Sequence, residues 1–157
     1  MKRSAGILLA RKRQMWEFFL LHTGGPFWVN KDESAWSFPK GELDQGEDFL
    51  SAAKREWQEE TGMSLPEEPY QLLDTVSSSR KKVWVYLAIG DADPNDLKSN
   101  LYEEEWPRKS GETQWFPEAD RAEWFSLETA LYKIHRYLEP VLYNALRVLK
   151  ERENRSS

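Results

Sequence analysis

GELDQGEDFLSAAKREWQEETGM, residues 41–63, sets carboxylates against their own electrostatic interest, and the rest of the chain reads as scaffolding for it. From Gly46-Glu47-Asp48 onward the residues read as helix. Acids stand in the first turn where the helix dipole favours them, good helix formers follow, and Gly62 sits where a C-terminal stop belongs. The pattern predicts one helix from Glu47 to Thr61. On it Glu56, Glu59 and Glu60 stand at i, i+3 and i+4, so they share a face with Cβ atoms about 5–6 Å apart. Like charges at that spacing cost roughly 0.2–0.5 kcal/mol each, and these lie in the last turns, where the dipole favours cations. A divalent cation would reverse both penalties; a merely solvated Glu-rich face is the plainer alternative. Leu50, Ala53 and Trp57 form an adjacent stripe able to bury the helix against a sheet.

The whole chain has 157 residues, enough for one sizeable core, and 1–157 is read as a single domain. It has no cysteine, which removes disulfides, thiol nucleophiles and Cys-based zinc sites and fits a reducing cytoplasm. The apolar run Ala5 to Ala10 is too short for a signal peptide, and no segment approaches the roughly 20 apolar residues of a membrane span. A net charge of −5 argues against a general nucleic-acid binder. It leaves room for an enzyme on small nucleotides whose positive charge comes from a cation.

Upstream, Ser4 to Ala10 and Trp16 to His22 are apolar runs flanking a polar segment, a β-hairpin turning near Lys12-Arg13. His22 is read as structural. Thr23 to Ser34 is a long loop with Phe27 and Trp28, either of which could stack on a nucleobase or cover the core edge. Ala35 to Phe38 is a short strand running into Pro39-Lys40-Gly41. Downstream, Tyr70 to Val76 and Lys82 to Ile89 read as paired strands about a basic turn, where Arg80 and Lys81 could reach polyphosphate. Tyr102 to Trp106 is a further strand. Its Glu103, Glu104 and Glu105 point alternately to opposite faces and cannot converge on one ion. Ser126 reads as a helix N-cap, and apolar residues recur at helical spacing from Leu131 to Leu149, broken at Glu139-Pro140.

Gly41, Glu47, Arg55-Glu56, apolar Trp57, Glu59-Glu60, Gly62 and apolar Met63 match, position for position, the signature of the Nudix hydrolases. At ordinary residue frequencies that combination would arise by chance on the order of once per billion start points. The chain therefore resembles a Nudix hydrolase. The resemblance implies the Nudix fold, an α+β (α/β/α) sandwich with a mixed sheet packed between helices. It also implies metal-dependent hydrolysis of a diphosphate linkage in a nucleotide, with Mg2+ as cofactor and Mn2+ as a possible substitute. By resemblance Glu56, Glu59 and Glu60 hold metal, and Lys40, the residue before the motif glycine, offers its backbone carbonyl to metal; its side chain is either solvated or, by its own chemistry, able to reach a substrate phosphate. Arg55 and Glu47 pair to orient the metal-bearing turn. A late acid from a mobile loop reaches the metals or activates water: Glu118, with Asp120 and Glu123 as rivals. Glu56 or Glu118 is the candidate base.

The resemblance is less specific about substrate. The family's downstream markers, a proline in ADP-ribose hydrolases and a tyrosine in some dinucleoside polyphosphate hydrolases, fall here on Ser78, Ser79, Arg80 and Lys81, so neither is present. The Trp36-Ser37-Phe38-Pro39-Lys40-Gly41 approach resembles enzymes acting on dinucleoside polyphosphates or capped 5′ ends. A nucleoside or dinucleoside polyphosphate is the expected substrate, with nucleotide sugars and ADP-ribose as alternatives. A non-catalytic nucleotide-binding regulator is the alternative of another class. Isoprenoid diphosphate isomerases on this fold would be expected to need a cysteine, which the chain lacks.

Overall fold

The computed structural model describes residues 1–156; Ser157, the last residue of the expected domain, lies outside the described residues. The hairpin is β1 (Lys2–Lys12) and β2 (Trp16–Thr23), paired antiparallel from Ala10↔Phe18 to Lys12↔Trp16. Two short strands follow, β3 (Trp36–Ser37) on β2 and β4 (Lys40–Glu42) on β1. After helix α1 (Phe49–Thr61) come β5 (Gln71–Leu72), β6 (Val76–Ser77) and β7 (Lys81–Ile89). Strands β8 (Leu101–Glu105) and β9 (Thr113–Pro117) form a separate two-stranded sheet, and β10 (Ala119–Ser126) returns to the main one. Helices α2 (Leu127–Lys133) and α3 (Glu139–Ser156) end the described chain.

The main sheet has eight strands, in the order β10-β2-β1-β7-β5, with β3 paired to β2, β4 to β1 and β6 to β7. It is mixed, since β1 runs parallel to β7 from Lys2↔Lys81 to Ala10↔Ile89 and antiparallel to its other partners. Ser4 to Ala10 are all buried, as expected of a strand covered on both faces. Successive side chains point oppositely. Ala5, Ile7 and Leu9 meet Ala52, Ala53 and Trp57 of α1, whereas Leu8 and Ala10 join the cluster containing Ala130, Ile134, Leu138, Val141 and Leu142. The sheet thus lies between α1 on one side and α2 with α3 on the other, the expected α/β/α arrangement.

α1 starts two residues later than the acids of its leader suggest. Asp48 is the N-cap, its side chain accepting from the Ser51 N–H at 2.8 Å, and Glu47 stays outside the helix. At the other end Gly62 takes a left-handed φ of 67° and donates its N–H to the Gln58 carbonyl, which closes the helix as expected. The packing stripe is also shifted. Phe49 stacks on Trp84 at 4.0 Å and Ala52 is fully buried, while Leu50 is only partly covered.

Other boundaries differ for local reasons. The single strand expected over Tyr70 to Val76 is broken into β5 and β6, both antiparallel to β7, with buried Leu73 between them donating to the Val85 carbonyl. Strand β8 starts and stops one residue before the expected span, and its Glu103, Glu104 and Glu105 alternate exposed and part-buried. Ser126 caps α2 as expected, and the break between α2 and α3 falls at Ile134–Leu138, with Glu139-Pro140 opening α3. There Ile134 bridges to Trp36 and the His135 N–H donates to the Trp36 carbonyl at 2.9 Å. No helix among the described residues is long and apolar enough to cross a membrane.

Candidate active site

Burying Trp57 against the sheet turns the opposite edge of the last turns of α1 toward β4, and this brings the acids together. Glu56, Glu60 and Glu118 each offer a carboxylate oxygen within 4.8 Å of the others. Glu56 is buried; Glu60 and Glu118 are partly so. Glu60 Oε2 accepts from the backbone N–H of Lys40 at 2.7 Å, so the residue before Gly41 is locked to the helix. Glu59 does not join the three. It turns to Arg55, one helical turn earlier, at 3.1 Å.

Glu118 sits at a braced corner between β9 and β10, not on the loop expected for it. Its N–H donates to the Asn100 carbonyl at 3.0 Å, and its own carbonyl accepts from Gly24 at 2.8 Å. Both rivals are elsewhere: Asp120 bonds to His22 Nδ1 at 2.7 Å, and Glu123 is an exposed residue of β10. His22 is buried with Nε2 against the Lys31 carbonyl, so both ring nitrogens have partners and its structural reading fits.

The three acids are held in a conflict that a cation relieves. Burial pushes the Glu56 carboxyl above the usual carboxylate range against the pull of Arg55, with Glu59 and Glu118 adding repulsion. Glu60 is raised further, by burial first and then by Glu56. Burial raises Glu118 too, opposed by a hydrogen bond from Asn100. Three convergent oxygen donors that resist ionisation for want of positive charge fit a hard divalent cation of the Mg2+ type.

Arg55 organises the flank of this cluster. Its Nε and Nη2 each meet one oxygen of Glu47 at 2.9 Å, Nη2 also donates to the Glu42 carbonyl, and Nη1 reaches Glu56 at 2.8 Å and Glu59 at 3.1 Å. The Arg55 contact, with the Asp44 N–H behind it, lowers the Glu47 carboxyl to about 2. One guanidinium thus bonds Glu47, Glu56 and Glu59, and the expected pairing of Arg55 with Glu47 is present. A lysine cannot bridge these partners, because the ammonium is a point charge where the guanidinium is a planar fork. Arg55→Lys is expected to keep the fold, seen by circular dichroism, and to lower kcat/KM about 10-fold or more, the scale for losing a group that orients ligands.

A cavity of about 320 Å³ opens beside the acids, with Glu60 and Glu118 in its wall. Of the residues expected to bind substrate it contains Lys40, Lys81 and Trp28. Phe27 and Arg80 are not in its lining. Phe27 is exposed, edge-on to Trp28, with the Lys31 ammonium 4.2 Å from its ring centre, and Arg80 is exposed. The cavity also takes Thr23, Ser37, His135 and Tyr137, which sequence reading missed. His135 Nε2 bonds to Thr23 Oγ1 at 2.9 Å, and burial, with Lys40 behind it, lowers its pKa to about 4, so the ring is neutral at physiological pH. Nothing in the local sequence marks it, since the pairing of Ile134-His135 with Trp36 alone brings it here. A larger hollow of about 610 Å³ between the β1–β2 turn and α3 is lined by neither Glu56, Glu60 nor Glu118.

Comparison with known proteins agrees with this fold. The NUDIX domain family model matches residues 1–145. The chain is similar to the Ap4A hydrolase of C. elegans, solved as a binary complex, at 25% identity and a TM-score of 0.64 over 96% of this chain and 99% of that one. The MutT protein of Methanosarcina mazei Go1 shares the fold, at 22% identity and a TM-score of 0.60 over 95% of each chain. An 8-oxo-(d)GTP phosphatase of Mycolicibacterium smegmatis is 42% identical over 71 residues, which is 42% of this chain and 22% of that protein, so the match spans about a fifth of that relative's length. With the match running from the first residue to 145, across the sheet and the acid-bearing helix, the chain belongs to the Nudix hydrolase family.

Proposed function

We propose that the protein, taken as one domain over 1–157, is a metal-dependent pyrophosphohydrolase that cleaves a diphosphate linkage in a nucleoside or dinucleoside polyphosphate. The observation that carries this reading is the convergence of Glu56, Glu60 and Glu118 at the wall of a cavity that also holds Lys40 and Lys81. Similarity along its whole length to an Ap4A hydrolase supports the substrate class. Glu56, Glu60 and Glu118 hold the cation, with Glu59 as a further carboxylate on the same helix and the Lys40 carbonyl as a backbone donor. Mg2+, or Mn2+ in its place, supplies neutralisation of phosphate charge and polarisation of the P–O bond when bound.

The remaining roles belong to the chain's own side chains. The ammonium groups of Lys40 and Lys81 bind phosphate oxygens, and Trp28 and Tyr137 give the nucleoside aromatic surface, with Phe27 and Arg80 available to the part of the substrate outside the cavity. Arg55 keeps Glu56 in place. Glu118 or Glu56 takes the proton of the attacking water as its oxygen bonds in line to phosphorus and the bridging oxygen leaves with the displaced phosphate.

The test is a metal-dependent phosphate-release screen over nucleoside triphosphates, dinucleoside polyphosphates, ADP-ribose and nucleotide sugars. Cleavage of polyphosphates that stops with chelator is expected. Cleavage confined to ADP-ribose or nucleotide sugars would overturn the substrate class, and nucleotide binding with no cleavage in any class would make the protein a binding module.

A further inference from the structure

Asn100 lies in the connection between the 3-10 turn Pro94–Asp96 and β8, and it is bonded to both halves of the acid cluster. Its N–H donates to the Glu59 carbonyl at the end of α1, at 2.8 Å, and its carbonyl accepts from the Glu118 N–H at 3.0 Å. Its side-chain Nδ2 donates to Glu118 Oε1 at 3.3 Å. The opposite amide orientation would face an oxygen to a carboxylate, so the chemistry selects this one. In that orientation Oδ1 is buried and meets no donor among the described residues. A buried acceptor without a partner is costly, and an apolar residue of similar size would not carry that cost. What the amide uniquely supplies is the bond to Glu118.

That bond opposes a real force. The Glu118 carboxylate faces Glu56 and Glu60, and like charges drive it outward toward solvent. Its backbone is also the stem of the β8–β9 hairpin, whose pairing begins at Leu101↔Pro117, next to Asn100 and Glu118. Motion of the hairpin therefore reaches Glu118 unless the stem is clamped.

We propose that the Asn100 side chain is a positioning group: with its backbone tying the Glu118 corner to the end of α1, its amide holds the Glu118 carboxylate turned toward Glu56 and Glu60. This rests on the reading of those three acids as a divalent-cation site. The test uses the full chain without substrate, with Mn2+ as probe in calorimetry, comparing Asn100→Ala and Asn100→Leu with the parent and with Glu60→Gln. Both Asn100 variants keep the two backbone bonds and fold, and the leucine variant melts no lower than the parent because it has no unpaired Oδ1. Both are expected to bind Mn2+ about 10-fold or more weakly, and in turnover to lose kcat with KM little changed. Unchanged Mn2+ affinity in both folded variants, with the affinity still dependent on Glu60, would overturn the positioning role alone. Parent and Glu60→Gln binding Mn2+ alike would overturn the cation-site reading and this proposal with it.

Discussion

Glu60→Gln lowers turnover by orders of magnitude and raises the melting temperature of the metal-free protein. The first effect follows from removing the proposed cation ligand at the centre of the cluster, and a fall in kcat/KM on the order of 10²–10³ is expected, the scale for losing one group that stabilises transition-state charge. The second follows from the direction in which the folded protein shifts Glu60. Its carboxyl is raised well above the ordinary value, by burial and by Glu56. The stability that a protonated Glu60 contributes is full below the unfolded pKa and is lost as pH rises through the folded one. Glutamine cannot ionise, so the gain over the parent grows with rising pH across that window and vanishes in acid. A gain of about 1 kcal/mol would lift the melting temperature by roughly 2–4 °C in a chain of this size. Calorimetry with chelator at acid and neutral pH checks the sign. Added Mg2+ should reverse the order, stabilising the parent and leaving Glu60→Gln unchanged.

Gly41→Ala is expected to act as strongly from outside the cluster. A methyl group on Gly41 would lie 2.2 Å from the Glu56 carboxyl carbon and 2.3 and 2.4 Å from its oxygens. Glu56 cannot step aside freely, because it is buried and its Oε1 is held by Arg55 at 2.8 Å. Either the carboxylate leaves the cluster or β4 shifts away from α1. A displacement of about 1 Å at a reacting centre costs on the order of 10²-fold in rate, and overpacking costs about 1–3 kcal/mol in stability. Adding Glu56→Ala to Gly41→Ala removes the clash, so the double variant should regain stability without regaining activity. Thermal melts and steady-state rates on the four members of that cycle measure the coupling directly.

The same contact explains why so much of this site was legible in one stretch. Gly41, Arg55, Glu56 and Glu60 are related by local geometry, a turn and one helix, and fixed spacing carries local geometry well. Of the packing stripe, Ala53 and Trp57 are buried as expected and only Leu50 stands one position off, because Phe49 finds Trp84, a partner more than thirty positions away that no helical period reveals. Glu118 is singled out in the sequence as the late acid, but its braced backbone is not, since Asn100 and Gly24 reach it from distant segments. His135, Tyr137 and Asn100 carried no sequence signal at all. Their positions depend on the pairing of Ile134-His135 with Trp36 and on the docking of the β8–β9 stem to α1. Tyr70 to Val76 alternates well enough to read as one strand, yet it is only β5 and β6 with Leu73 between them, so periodicity alone overstated its regularity.

The most direct test of the central claim is an anomalous-difference map from a crystal of the parent protein soaked in Mn2+. A peak bounded by the carboxylates of Glu56, Glu60 and Glu118, lost in Glu60→Gln, is the predicted result. Occupied Mn2+ sites elsewhere on the chain with none among those three acids would contradict it.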